Sequence, residues 1–134
     1  MNNLYELDQE LATDYNVNVW SDDVVLYAGQ LADGLSDEEW AELERVWRDR
    51  PAAWQAKLAE AVFSSPKPRV VGLLVEMLKS PETEGALSAA EHLAAKDDVW
   101  TPDESVRGDL ERLLARLEGK NRETVESLLA RIPG

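Results

Sequence analysis

Apolar residues return every three to four positions through most of the chain, the spacing of helix faces rather than strands. Leu4, Leu7 and Leu11 predict a first helix over residues 3–13. Residues 14–20 break the period and alternate polar with apolar. That predicts an extended linker, because no second strand candidate exists to pair with it. Ser21 or Asp22 then caps a helix with Val24, Ala28, Leu31 and Leu35 on one side, and Gly34 ends it. Ser36-Asp37-Glu38-Glu39 reads as a capping box ahead of Trp40, Leu43 and Trp47. Pro51 stops that helix and opens the next, striped by Trp54, Leu58, Ala61 and Val62.

The clearest signal lies in residues 66–96. Val70, Val71, Leu74, Met77 and Leu78 line one helix, and Leu87, Ala90, Leu93 and Ala94 line a second. Between them, Lys79-Ser80-Pro81-Glu82 offers a cap hydroxyl, a proline suited to the first helical position and early negative charge. The period lapses over residues 97–100. Thr101-Pro102-Asp103-Glu104 reads as a second capping box before Val106, Leu110, Leu113, Leu114 and Leu117. Gly119 and Asn121 separate that helix from a last one bearing Val125, Leu128, Leu129 and Ile132. The prediction is one all-α domain over residues 1–134 with about eight helices. It divides into acidic N-terminal helices (1–35), helix pairs (36–96) and a C-terminal pair (101–132).

Proline-marked turns at Pro51, Pro66 and Pro81 fall fifteen residues apart, which suggests a repeated helix-plus-turn unit. VVGLLVEMLKSPETEGALSAAEHLAAK resembles a HEAT repeat: an LLxxLL-like helix, a short turn with proline, and an alanine-rich helix ending in AAxxLA. The resemblance is good over residues 66–96, loose over 36–65 and absent from the first 35. The sequence departs from the pattern at Glu84-Gly85-Ala86, where such repeats carry Val followed by Arg, so the family's Asp–Arg ladder is not implied. The resemblance implies a right-handed stack of antiparallel helix pairs, a HEAT-like α-solenoid, and a binding scaffold rather than a catalyst.

Charge changes this picture more than composition does. The formal net charge is −13 and the pI about 4.4. Residues 1–44 contain twelve acids and no Lys or Arg, while the remaining ninety carry the other fifteen acids and all 14 bases. Acidity alone serves solubility, but solubility does not require such polarisation. It points to steering of a basic protein partner and disfavours nucleic acid and anionic membrane. There is no cysteine, no basic-then-apolar leader and no run long enough to span a bilayer, so a cytoplasmic protein is expected.

Little in the sequence points to chemistry. His92 is the only histidine, and Glu91 beside it diverges from it on a helix. The acid clusters Asp22-Asp23, Asp37-Glu38-Glu39, Asp97-Asp98 and Asp103-Glu104 lack the spacing of a calcium loop, and three of them sit where acids complement helix starts. Gly72 and Gly85, inside helical patterns, are expected to mark close helix packing. Neither a cofactor nor a metal nor an enzymatic activity is expected. Trp40, Trp47 and Trp54 fit core stripes. Trp20 and Trp100 lie in the two irregular segments beside paired aspartates, where each either plugs a gap between layers or anchors a partner. Size, charge and helical style also resemble the immunity proteins that bacteria keep beside antibacterial toxins. That resemblance implies stoichiometric inhibition of a toxin, a nuclease for instance; the candidate partner-binding residues, read from the acid clusters and the two tryptophans beside them, are Trp20, Asp22, Asp23, Asp33, Asp37, Glu38, Asp97, Asp98, Trp100 and Asp103. The alternatives are a general adaptor that docks a peptide or larger assembly, and a carboxylate- or metal-dependent enzyme.

Overall fold

Helices account for all the regular structure among residues 3–65 and 67–133, which the computed structural model describes. Pro66, one of the three turn prolines, lies outside them. Eight rods follow one another: α1 (Asn3–Ala12), α2 (Val17–Val19, the π-helical turn Trp20–Val24, then Val25–Asp33), α3 (Asp37–Val46), α4 (Ala52–Phe63), α5 (Pro68–Met77), α6 (Thr83–Ala95), α7 (Glu104–Leu114) and α8 (Asn121–Arg131). Among the described residues no helix is long and apolar enough to cross a membrane.

Contacts pass from α1 to α2, then through α4 and α6 to α8. Helix α5 lies against α6 and α4, and α7 against α8 and α6. The row α2–α4–α6 is dense because the facing residues are small. Ala28, Gly29 and Ala32 on α2, Ala59 and Ala61 on α4, and Gly85, Ala86, Ala89 and Ala90 on α6 are all buried. At Gly85 the backbones come so close that a Cβ would sit 2.7 Å from Gln55 Cβ. The expected close packing at Gly72 is absent: a Cβ there meets nothing within 4 Å, because Gly72 lies on the open side of α5. Larger residues fill the space between rods, with Trp40, Trp47, Trp54, Leu58, Leu74, Leu110 and Leu128 all buried in one core.

Three local expectations are corrected. Residues 17–20 are not an extended linker but the start of α2. The Asn16 side chain accepts from the Asn18 N–H at 2.8 Å, so Asn16 takes the capping role assigned to Ser21 or Asp22, which lie inside the π-helical turn. The second capping box does not form: α7 begins at Glu104, and Asp103 caps it by accepting from the Ser105 N–H at 2.9 Å. Pro81 is not the first helical residue: α6 begins two residues later at Thr83, and the Ser80 hydroxyl accepts from Glu82 N–H within the turn rather than capping the helix.

The first capping box forms as read. Ser36 Oγ accepts from Glu39 N–H at 3.1 Å, and Glu39 Oε1 accepts from Ser36 N–H at 3.0 Å. Glu39 Oε2 also accepts from the Leu4 N–H at 3.0 Å, so one carboxylate ties the starts of α1 and α3 together. The donors at Ser36 and Leu4 hold the Glu39 carboxyl below its ordinary range. Glu39→Ala should therefore cost about 1–2 kcal/mol at neutral pH, the range for losing a cap. A folded pKa below the unfolded one means the contribution is complete above the unfolded carboxylate range. It is lost as pH falls through the folded value. Urea midpoints of wild type and variant should converge on acidification; a constant gap across that range would remove the titrating role.

Candidate partner-binding surface

Helix α2 buries Ala28, Gly29, Leu31 and Ala32 and turns a different face to solvent. Val19, Asp22, Asp23, Leu26, Tyr27 and Gln30 recur there at helical spacing, and all are exposed. Leu26 is 66% exposed, and Val19 and Tyr27 are more than two-fifths exposed. The π-helical turn lets Trp20 point inward while its neighbours face out. Trp20 is 4% exposed, its indole N–H donates to Glu60 at 3.3 Å, and the Lys57 ammonium sits 5.4 Å from a ring centroid. It fills the gap between α2 and α4 and is not a free surface anchor. Beside this face, the Tyr27 hydroxyl donates to Glu6 at 2.6 Å, which pushes the phenol pKa up, and Tyr5 on α1 is 66% exposed.

The twelve N-terminal acids divide into two groups. Asp8 accepts from Arg50 at 3.0 Å and from the Trp54 indole at 2.9 Å. Asp37 and Glu44 share Arg69 at 3.1 and 3.4 Å, and Glu42 pairs with Arg45. Asp33 accepts from the Ser65 hydroxyl at 3.0 Å, and its carbonyl takes the Lys67 ammonium. Bases from residues 45–69 thus reach back and absorb part of the polarised charge; Asp33 is held by Ser65 and Lys67, while Asp37 makes its ion pair with Arg69 from a fully exposed position. Among the described residues Glu6, Glu10, Asp14, Asp22, Asp23, Glu38 and Glu39 have no base partner, Glu39 accepting from backbone N–H groups instead.

The C-terminal candidates separate as well. Asp97 and Asp98 are exposed in the turn after α6, Trp100 packs half-buried against the core, and Asp103 is spent on capping α7. The fold nevertheless brings Asp33 and Asp98 onto one furrow. A section of about 270 Å³ is lined by Leu26, Gly29, Gln30 and Asp33. The next, about 580 Å³, is lined by Lys67, Pro68, Val71, Lys96, Asp98 and Val99, and Ser64 and Ser65 belong to both. Sequence reasoning passed over Leu26, Tyr27, Tyr5 and Val99. Leu26 and Tyr27 did carry a signal, since both fall off the apolar stripe formed by Ala28, Leu31 and Leu35.

His92 is half-buried, its Nδ1 lies 2.7 Å from the Ser88 carbonyl oxygen, and its ring packs on Phe63 with centroids 5.1 Å apart. That position orients the ring within the helix edge. Among the described residues no three His, Asp or Glu side chains converge as a metal site. Comparison with family models, with curated proteins and with solved structures returns no match.

Proposed function

We propose that the chain is a non-catalytic protein-binding module, an inhibitor of the immunity type that neutralises a cognate bacterial toxin by stoichiometric binding of a basic surface. The observation that carries this reading is the outer face of α2, where unpaired Asp22 and Asp23 stand among exposed Val19, Leu26 and Tyr27. Unpaired acids alone keep a protein soluble. Large apolar side chains interleaved with them work against solubility and gain free energy only when covered. A second copy of this chain makes a poor cover, since both surfaces carry the same excess of negative charge. A basic protein complements the acids and covers the apolar groups together. Nucleic acid and anionic membrane are repelled by the same face. The relay of contacts α2–α4–α6–α8 supports a HEAT-like right-handed solenoid as the scaffold, and the compartment in this reading is the bacterial cytoplasm.

The mixed-charge furrow favours a second reading, an adaptor that docks a peptide from a larger assembly. Pull-down from the native host separates the two. The inhibitor reading expects one basic protein, recovered in equimolar amount by the wild-type chain and lost with the Asp22→Lys/Asp23→Lys bait. A broad set of proteins retained equally by both baits would sink the inhibitor reading and leave the adaptor.

A further inference from the structure

The outer face of α2 is banded along its length. Val19 comes first, Asp22 and Asp23 about one turn later, and Leu26 and Tyr27 a turn after those, all exposed. Asp22 stands four residues before Leu26, and Asp23 four before Tyr27, so each acid shares a ridge with one large apolar side chain. The Tyr27 hydroxyl is already spent on Glu6 at 2.6 Å, which ties its ridge to α1. Two bases border the face. The Lys57 ammonium takes the Thr13 carbonyl beside the Trp20 ring, and the Lys67 ammonium takes the Asp33 carbonyl. Among the described residues neither lies within ion-pair distance of a carboxylate. Glu6, Asp22, Asp23, Asp33 and the Glu60 that receives the Trp20 indole stand against those two lysines, so the bands keep a negative excess with both bases counted.

We infer that this face docks one helix of the partner protein, a basic amphipathic helix whose own surface is banded aliphatic, basic, aliphatic. An extended segment laid across Leu26 and Tyr27 would bury backbone N–H and C=O groups with nothing to pair them. Among the described residues every regular element is a helix, whose backbone groups are spent within it, so no strand edge receives such a segment. A helix satisfies its own backbone and presents only side chains. The ridges Asp22–Leu26 and Asp23–Tyr27 leave a groove between them, which a side chain of a facing helix can enter. Val19 and Leu26 lie roughly 10 Å apart along α2 at about 1.5 Å per residue. The matching helix therefore carries aliphatic residues two turns apart, with Lys or Arg midway to meet Asp22 and Asp23. A free cation would leave Leu26, which is 66% exposed, bare. A second copy of this chain would bring the same excess of negative charge. The inference rests on the chain being a protein-binding module, and it narrows the partner from any basic surface to a basic helix.

Fluorescence anisotropy with synthetic peptides on the full chain tests the site without a native partner. The probe is a labelled alanine-based peptide of about eighteen residues, held helical by a covalent staple on its far side. It carries leucines two turns apart and two arginines midway between them. One control keeps the staple and moves the arginines to the opposite face. The other drops the staple and places a proline at the centre. The banded helix should saturate, with both controls about tenfold weaker or more, the scale of losing one charge-assisted or apolar contact. Leu26→Ser, on an exposed side chain, should weaken the banded helix by about the same factor with the circular dichroism unchanged. Asp22→Lys/Asp23→Lys should abolish saturation. Glu111→Lys/Glu118→Lys makes the same change of net charge at exposed positions on α7 and in the turn after it. It should move the affinity by less than about twofold at 0.15 M salt, where screening acts beyond about 8 Å. Absence of saturation, a proline peptide that binds as tightly, or equal affinity for wild type and Leu26→Ser overturns the site. Equal losses from the two charge reversals would assign the binding to bulk charge and overturn it too. So would a dimer in sedimentation that Leu26→Ser dissolves, since the face would then belong to a second copy. If the peptide fails while the native pull-down holds, only the helix inference is lost. If the pull-down yields no basic protein while the peptide binds, only the inhibitor reading is lost.

Discussion

Gly85→Ala is expected to destabilise the fold by about 2–4 kcal/mol, a large effect for one added methyl group. The methyl would lie 2.7 Å from Gln55 Cβ and closer still to Gln55 Oε1. Being bonded to the backbone, it cannot swing aside. Nor can Gln55 give way cheaply, because it is fully buried and its amide is held at both ends. Nε2 donates to the Trp47 carbonyl at 3.3 Å and the Arg50 carbonyl at 3.0 Å, and Oε1 accepts from the Ser80 hydroxyl at 2.5 Å. Relieving the clash means either parting α4 from α6 or stranding buried polar groups in the turns before α4 and after α5. The better helix propensity of alanine offsets only about 1 kcal/mol. Denaturant unfolding of the two single variants and the double variant with Gln55→Ala measures the coupling. Gln55→Ala should cost clearly less in the Gly85→Ala background than alone, since one change removes what the other disturbs. Simple additivity would mean that the two residues do not meet.

Gly85 and Gln55 also mark how far the sequence could be read. A glycine within a helical period signals close approach of something, and at Gly85 that reading holds. Gly72 carries the same local signal and faces open space, because its neighbour across α5 is absent rather than near. The distinction belongs to tertiary contact and not to spacing. The helices themselves were legible from the leucine and tryptophan stripes, whose burial is driven by area and periodicity. Helix starts were legible only where one side chain had no competitor, as at Ser36. Asn16 and Asp103 each won a local contest that propensity leaves open, Ser80 bonds within its turn instead of capping α6, and residues 17–20 followed Asn16 into a helix. The acidic face was half legible. Counting acids located it, but only the fold shows Arg50, Arg69 and Lys67 reaching back to engage Asp8, Asp37 and the backbone at Asp33. It also shows Trp20 buried, with Leu26 and Tyr27 exposed beside Asp22 and Asp23.

That arrangement decides the functional experiment. Asp22→Lys/Asp23→Lys should slow association with the basic partner by about tenfold or more at low salt, because steering depends on charges that nothing else in the fold neutralises. Both side chains are exposed and unpaired, so the reversal should leave the helical circular dichroism unchanged. The difference between wild type and variant should close as salt rises, since the screening length falls from about 10 Å at 0.1 M to about 3 Å at 1 M. Leu26→Ala and Tyr27→Ala should act on the other rate. Their apolar contact forms after encounter, so their loss should speed dissociation and spare association. Trp20→Ala is no test of the interface, because removing a buried indole also removes the Glu60 contact and costs stability first. Surface-binding kinetics against the recovered partner, at two salt concentrations, read all of these at once. If the double reversal leaves the association rate and its salt dependence where they were, the charge on α2 is only a solvated face, and any basic partner binds elsewhere.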